Sequence, residues 1–230
     1  MNRLGKGNVR IILIIEMILI FIIFIIFLLT GFYITFILII LGIILSIIYS
    51  ARPFRVKGKG FWSPFPVILG MFALPLLGGY FLSNYFITLE FLLFVFGYSL
   101  FNQGINFINT CEDFTEDKES GIHTWAHFFG LEKTLTIAFI FTLGGTLLAN
   151  CSLLLILLFS KNIYNLYFYV TLGFIILSLV FSIVTTIEIY KVKSGDDLEL
   201  SAKKNATNIP KWFIVTRYPL LIISILLLMF

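Results

Sequence analysis

Asn109-Thr-Cys-Glu-Asp-Phe-Thr-Glu-Asp-Lys-Glu-Ser-Gly-Ile-His-Thr124 gathers five carboxylates, Glu112, Asp113, Glu116, Asp117 and Glu119, into eight residues. The chain around this stretch is apolar enough to sit in lipid. Of 230 residues, 60% are apolar and only 12% charged, more than a soluble core of this size can use. The hydrocarbon slab of a bilayer is about 30 Å thick and takes about 20 helical residues to cross. Seven runs approach that length: Val9–Leu29, Tyr33–Tyr49, Pro64–Leu82, Phe86–Ile108, Thr134–Phe159, Leu166–Ile189 and Trp212–Phe230. The expected fold is all-α, a polytopic membrane helical bundle of seven transmembrane helices forming a single domain over residues 1–230.

Other classes fit poorly. No sheet's worth of chain alternates with period two, which argues against a β-barrel. The first apolar run is too long for a cleaved signal peptide, and no small-residue cleavage site separates it from the second. The Lys and Arg residues fix an orientation, because cytoplasmic segments carry the excess of positive charge. With the N-terminus inside, fourteen of the sixteen fall on inner segments, only Lys161 falls on an outer loop, and Arg217 lies within the last helix. The expectation is an integral, multi-pass protein of the cell membrane with a cytoplasmic N-terminus. The acidic stretch and the basic loop Arg52–Lys59 then share the cytoplasmic face. The net charge of +4 follows from this bias and from attraction to anionic lipid, and gives no reason to expect a nucleic-acid partner. Cys111 and Cys151 fall near opposite faces and lack the neighbours of a zinc site.

The run that enters the acidic stretch is itself polar along one side. Asn102, Asn106, Asn109, Asp113 and Asp117 follow steps of four, three, four and four, which share a helical face at 3.6 residues per turn. Amides within the slab are costly unless they face a partner or a wet cavity. Asn102 and Asn106 therefore line a cavity opening to the cytoplasm, or else bond neighbouring helices. Two aspartates four apart direct their carboxylates to one side, where they can hold Mg2+ whose remaining ligands are water and phosphate oxygens. The competing reading is a solvated acidic loop. Ser50-Ala-Arg-Pro-Phe-Arg-Val-Lys-Gly-Lys59 supplies the cations a phosphate needs, although positive-inside topology alone also produces basic loops. Together the two loops point to chemistry on a phosphorylated lipid at the membrane surface. A smaller acidic group, Asp196, Asp197 and Glu199, reads as a solvated linker, and Glu90 and Glu188 as interfacial.

Asp113-Phe-Thr-Glu-Asp-Lys-Glu-Ser-Gly-Ile-His-Thr124, followed by Phe129-Gly130-Leu131, resembles the second aspartate motif of the UbiA superfamily of intramembrane prenyltransferases. Tyr49-Ser-Ala-Arg-Pro-Phe-Arg-Val-Lys57 is similar to that family's Tyr-Ser-x-Pro-Pro-x-Arg-x-Lys loop. The resemblance implies a bundle around a central cavity open to lipid. It also implies Mg2+-dependent transfer of a prenyl group from a polyprenyl diphosphate to a small aromatic or alcohol acceptor. Carried over by position, Asp113 and Asp117 are the catalytic metal ligands. Tyr49, Arg52, Arg55, Lys57, Asn109 and Lys118 are the diphosphate contacts.

The family norm is nine helices, with a first aspartate-rich motif after the second helix, and no such motif occurs here. Met1-Asn-Arg-Leu-Gly-Lys-Gly-Asn-Val9 resembles the stretch that follows that motif. The chain is therefore expected to start about two helices late relative to the family, with a separate chain as one source of the missing helices. Alternatives to a stand-alone enzyme are one part of a split prenyltransferase and an inactive lipid-binding or scaffold relative. A cation or metabolite transporter with an acidic mouth is a weaker alternative.

Overall fold

The computed structural model describes residues 6–84, 86–159 and 166–227. Lys161, Arg3 and most of the Met1–Val9 resemblance lie outside those residues, as do the last three positions of the seventh apolar run. Ten helices follow in order, besides a single 3-10 turn at Val56–Gly58. They are α1 (Lys6–Leu29), α2 (Tyr33–Ser50), α3 (Gly60–Tyr80), α4 (Leu89–Glu112), α5 (Phe114–Glu119), α6 (Trp125–Phe129), α7 (Leu131–Phe159), α8 (Leu166–Lys193), α9 (Leu198–Ala206) and α10 (Ile209–Leu227). No strand forms among the described residues. The protein is an all-helical, polytopic bundle.

Each of the seven apolar runs coincides with a long helix. Five of these, α2, α3, α4, α7 and α8, are long and apolar enough to cross a bilayer among the described residues, and Ile14–Leu29 of α1 is apolar but shorter. These lengths establish a polytopic protein without establishing the count of seven. Helix α3 is irregular in the turn before Pro75. Pro75 has no N–H to give the carbonyl four residues back, and the turn before it widens to π geometry over Ile68–Ala73, with Leu74 N–H bonding Leu69 O.

The bundle's main seam is α4 against α7. Lipid tails are as apolar as leucine, so helices in a membrane associate through close packing at small residues. Gly104 shows how close: a Cβ there would lie 2.7 Å from Ala138 O and 2.5 Å from Thr142 Cγ2. From the other side, a Cβ on Gly145 would lie 2.5 Å from Phe101 N. The seam continues into a buried cluster at the polar end, where Ile105, Ile108, Cys111, Ala126, Leu135, Ile189 and Ala202 are fully buried. By contrast, successive residues of α1 from Ile14 to Phe21 are exposed, as on a helix that faces lipid.

Candidate active site at the polar end of the bundle

Three connections meet at one end of the bundle: the segment between α2 and α3, the α5–α6 region, and α9. Helix α4 stops at Glu112, yet its hydrogen bonding carries through the junction. Asp113 N–H reaches Asn109 O at 3.2 Å, and Asp117 N–H reaches Asp113 O at 2.8 Å. Asn109, Asp113 and Asp117 are thereby stacked one turn apart. Gly121 then ends α5 in the left-handed region (φ +68), with Ile122 N–H on Asp117 O (2.8 Å) and Gly121 N–H on Lys118 O (3.1 Å). This paired closure needs a residue that tolerates positive φ, which explains the Gly-Ile step of the motif.

The basic loop is fastened to this acidic turn by backbone and by rings. Gly60 N–H donates to His123 O at 2.6 Å, and Lys59 pairs with His123 in a short parallel bridge. Trp125 Nε1 donates to Phe61 O at 2.6 Å. Its indole lies between Phe107 (centroids 4.7 Å apart) and Phe61 (5.8 Å), nearly parallel to both. Stacked pairs of this kind contribute about 0.5–1.5 kcal/mol each beyond area burial. Two sequence segments some sixty residues apart thus become one wall.

Between them lies a polar cleft of about 80 Å³ lined by Tyr49, Lys57, Ser63, Asn106, Asn109, Thr110, Asp113, Asp117 and Trp125, with Gln103 and Phe107 deeper along α4. Of the residues expected from sequence, Tyr49, Lys57, Asn106, Asn109, Asp113 and Asp117 share this wall. Arg52, Arg55 and Lys118 are exposed at the same end and do not line it. Asn102 is fully buried, its Nδ2 donating to Tyr98 O at 2.7 Å, and it too is off the wall.

Gln103, Ser63, Thr110 and Trp125 were not expected. For Gln103 the signal was present, since Gln103, Asn106, Thr110, Asp113 and Asp117 step by three, four, three and four. That pattern averages closer to the helical repeat than a stripe through Asn102. Gln103 is 1% exposed and its Oε1 has no protein partner.

The cleft's electrostatics favour a cation. Burial pushes the Asp113 carboxyl above its ordinary value of 3.8, and the Asp117 and Glu116 charges push it further, against the opposing pull of Lys57 and Lys203. Among the described residues no three His, Cys, Asp or Glu side chains converge as a metal cage. The donor set is a carboxylate pair with amides, which suits a hard cation that completes its shell with phosphate oxygens and water. His127 is occupied otherwise. Its Nδ1 accepts from Thr124 N–H (3.2 Å), and its Nε2 contacts Phe114 O (2.8 Å), so it caps α6 and braces α5.

The linker reading of Asp196, Asp197 and Glu199 needs correction. Asp197 caps α9 by accepting from Leu200 N–H at 2.9 Å, and Glu199 crosses to α5, where Thr115 Oγ1 donates to it at 2.8 Å. Glu188, read as interfacial, pairs with Lys191 at 2.7 Å.

No curated protein and no solved structure matches the chain significantly. The sequence pattern of one family does match, over residues 3–195, a span that contains both loops and every cleft residue named above. The chain is an integral membrane protein that belongs to the UbiA prenyltransferase family.

Proposed function

We propose that this chain transfers a prenyl group from a polyprenyl diphosphate to a small aromatic or alcohol acceptor, with Mg2+, at the cytoplasmic membrane face. Family membership supports a prenyltransferase-type function. The observation that carries the finer reading is the presence of Asp113, Asp117, Tyr49 and Lys57 on the wall of one cleft. Carboxylates alone would repel a diphosphate. Carboxylates facing a lysine across a cleft suit a diphosphate that arrives with a divalent cation.

Asp113 and Asp117 would hold Mg2+, which supplies charge neutralisation of the departing diphosphate when bound. Lys57 and the Tyr49 hydroxyl would contact phosphate oxygens from the opposite side, fixing the orientation of the leaving group. The C1–O bond of the allylic donor breaks with its electron pair going to the diphosphate. The acceptor's ring carbon or hydroxyl oxygen then bonds to C1 and sheds a proton. Phe107 and Trp125, beside the carboxylates, keep water from the cation. An apolar groove of about 400 Å³ begins at Ser46, one turn of α2 from Tyr49, and continues past Gly42, Leu38 and Thr35 against Gly70, Leu74 and Gly78. This groove is the natural place for the isoprenoid tail.

The test is diphosphate release from a prenyl diphosphate by the purified chain in liposomes, with Mg2+ and with EDTA. Release that requires Mg2+ and is lost in Asp113→Ala is expected. Equal background release in all three conditions from folded protein would reject the proposal.

A further inference from the structure

A second polar place lies inside the bundle, away from the cleft. Thr146 sits near the midpoint of α7, and Asn150 follows one turn later on the same face. Both are buried, at 1% and 4% exposure. Asn150 Nδ2 donates to Thr146 O at 2.8 Å, so the other end of the amide is its oxygen. That oxygen, Asn150 Oδ1, has no protein partner, and neither has Thr146 Oγ1. Other threonines in the slab behave differently. Thr142 Oγ1 donates back to Ala138 O at 3.0 Å, and Thr216 Oγ1 to Trp212 O at 2.7 Å. A helical threonine can always make that bond to its own backbone, and Thr146 does not take it.

The two orphaned groups border one cavity of about 10 Å³. Ser178 and Ser182 of α8 and Thr216 of α10 line the same space, all at 5% exposure or less. The cavity shares no residue with the cleft: Phe101 lines it from α4, whereas Gln103 and Phe107 of that helix line the cleft. Neutral hydroxyls and one amide from three helices thus meet where hydrocarbon offers no hydrogen bond of its own.

The chemistry of the lining selects the occupant. Each orphaned oxygen carries its full desolvation penalty until a donor reaches it. A single water needs about 10–15 Å³ and two to four polar neighbours, and both conditions are met here. Water can donate to Asn150 Oδ1 while accepting from the Thr146 hydroxyl. A metal ion suits the place poorly, because no carboxylate lines it and a charge buried among neutral oxygens is costly. A prenyl chain or an acceptor ring is too large.

We propose that Thr146 and Asn150 hold one buried water that ties α7 to the hydroxyls of α8 and α10 in the middle of the membrane. Helix α10 lies beyond the family-matched span, so this water gives a helix outside that span a polar joint to the bundle. The proposal does not depend on the diphosphate reading.

The test pairs a structure with a melt. Crystals of the full chain grown from lipid in Na+, and again with Rb+ in its place, should show the same single density peak. That peak should lie within hydrogen-bond distance of Asn150 Oδ1 and Thr146 Oγ1. An anomalous signal there in Rb+ would assign the site to a cation and overturn the proposal. So would no peak among well-ordered side chains. Thr146→Val replaces the hydroxyl with a methyl of similar size. A hydroxyl bonded to water is a loss when removed, so the melting temperature should fall by about 2 °C. An orphaned hydroxyl is a gain when removed, so an unchanged or higher melting temperature would overturn the proposal. Should Thr146→Val fail to fold, the wild-type structures in the two salts decide alone.

Discussion

Two faces of the same helix divide the labour in this protein. On one face of α4, Gly97 and Gly104 remove side chains so that α7 can approach at backbone contact. On the other, Gln103, Asn106, Thr110 and then Asp113 carry polar groups into the cleft. The first face has no chemistry and the second little packing. The contrast teaches that loss of activity has two separable origins here, collapse of the seam and disarming of the cleft, and that a thermal melt tells them apart.

The largest effect should come from the carboxylates. Asp117→Ala is expected to lower diphosphate release at least about 100-fold with the melting temperature unchanged within a few degrees, because Asp117 packs against little. Next, Gly104→Val should disrupt the seam. Its added carbons meet Ala138 O and Thr142, and overpacking of this kind costs about 1–3 kcal/mol or more. The melt in detergent should fall by several degrees and activity should fall with it. A normal melt would show that α4 and α7 are not in backbone contact at Gly104.

Trp125→Leu comes third. It removes the indole donor to Phe61 O and the ring stack that ties the two loops together. The expected outcome is a rise in the KM for prenyl diphosphate of about 5- to 20-fold, with a smaller change in kcat, since the loops lose registry while the charged groups remain. An equal loss in kcat alone would mean that Trp125 acts on the chemistry and not on the assembly of the cleft.

The smallest effect is one of sign. The Asp113 carboxyl is held above its ordinary value by burial first and by Asp117 and Glu116 second. A raised acid disfavours its charged form in the folded state. The metal-free protein should therefore gain stability as pH falls through that raised value, and lose the gain above it. Asp113→Asn should raise the metal-free melting temperature at neutral pH, by no more than about 2 °C because Asp113 is only half-buried and water screens the repulsion, while abolishing turnover. Saturating Mg2+ should cancel the pH effect in the wild type, since the cation neutralises the same repulsion. A melt insensitive to both pH and substitution would show that Lys57 and Lys203 already balance the cluster.

Much of this arrangement was legible in the sequence because lipid imposes strict rules. Every apolar run became a helix, since a backbone in hydrocarbon must satisfy itself. The Asp113–Asp117 spacing was readable because a helical turn fixes it. What sequence periodicity missed is what depends on contact between distant segments. Nothing in the periodicity singles out Trp125, and only the fold lays it against Phe61 and Phe107. Asn102 and Gln103 are adjacent amides of similar polarity, and a rotation of 100° about the helix axis decides which of them reaches the cleft. The short α9 was mistaken for a linker because its anchor, Thr115, lies 84 residues away. Arg55 and Lys57 match the motif equally, yet the turn at Arg55 (φ +34) leaves Arg55 exposed off the wall while Lys57 lines the cleft.

The central claim is that the two loops form one site for a divalent cation and a prenyl diphosphate. Its most direct test is a cryo-EM or crystal structure of the full chain with Mn2+ and a non-hydrolysable prenyl thiodiphosphate. Metal density is expected between Asp113 and Asp117, with the phosphates turned toward Tyr49 and Lys57 and the tail leaving along the Ser46–Thr35 groove. Ligand density at another end of the bundle, with this cleft unchanged at saturating ligand, would contradict it.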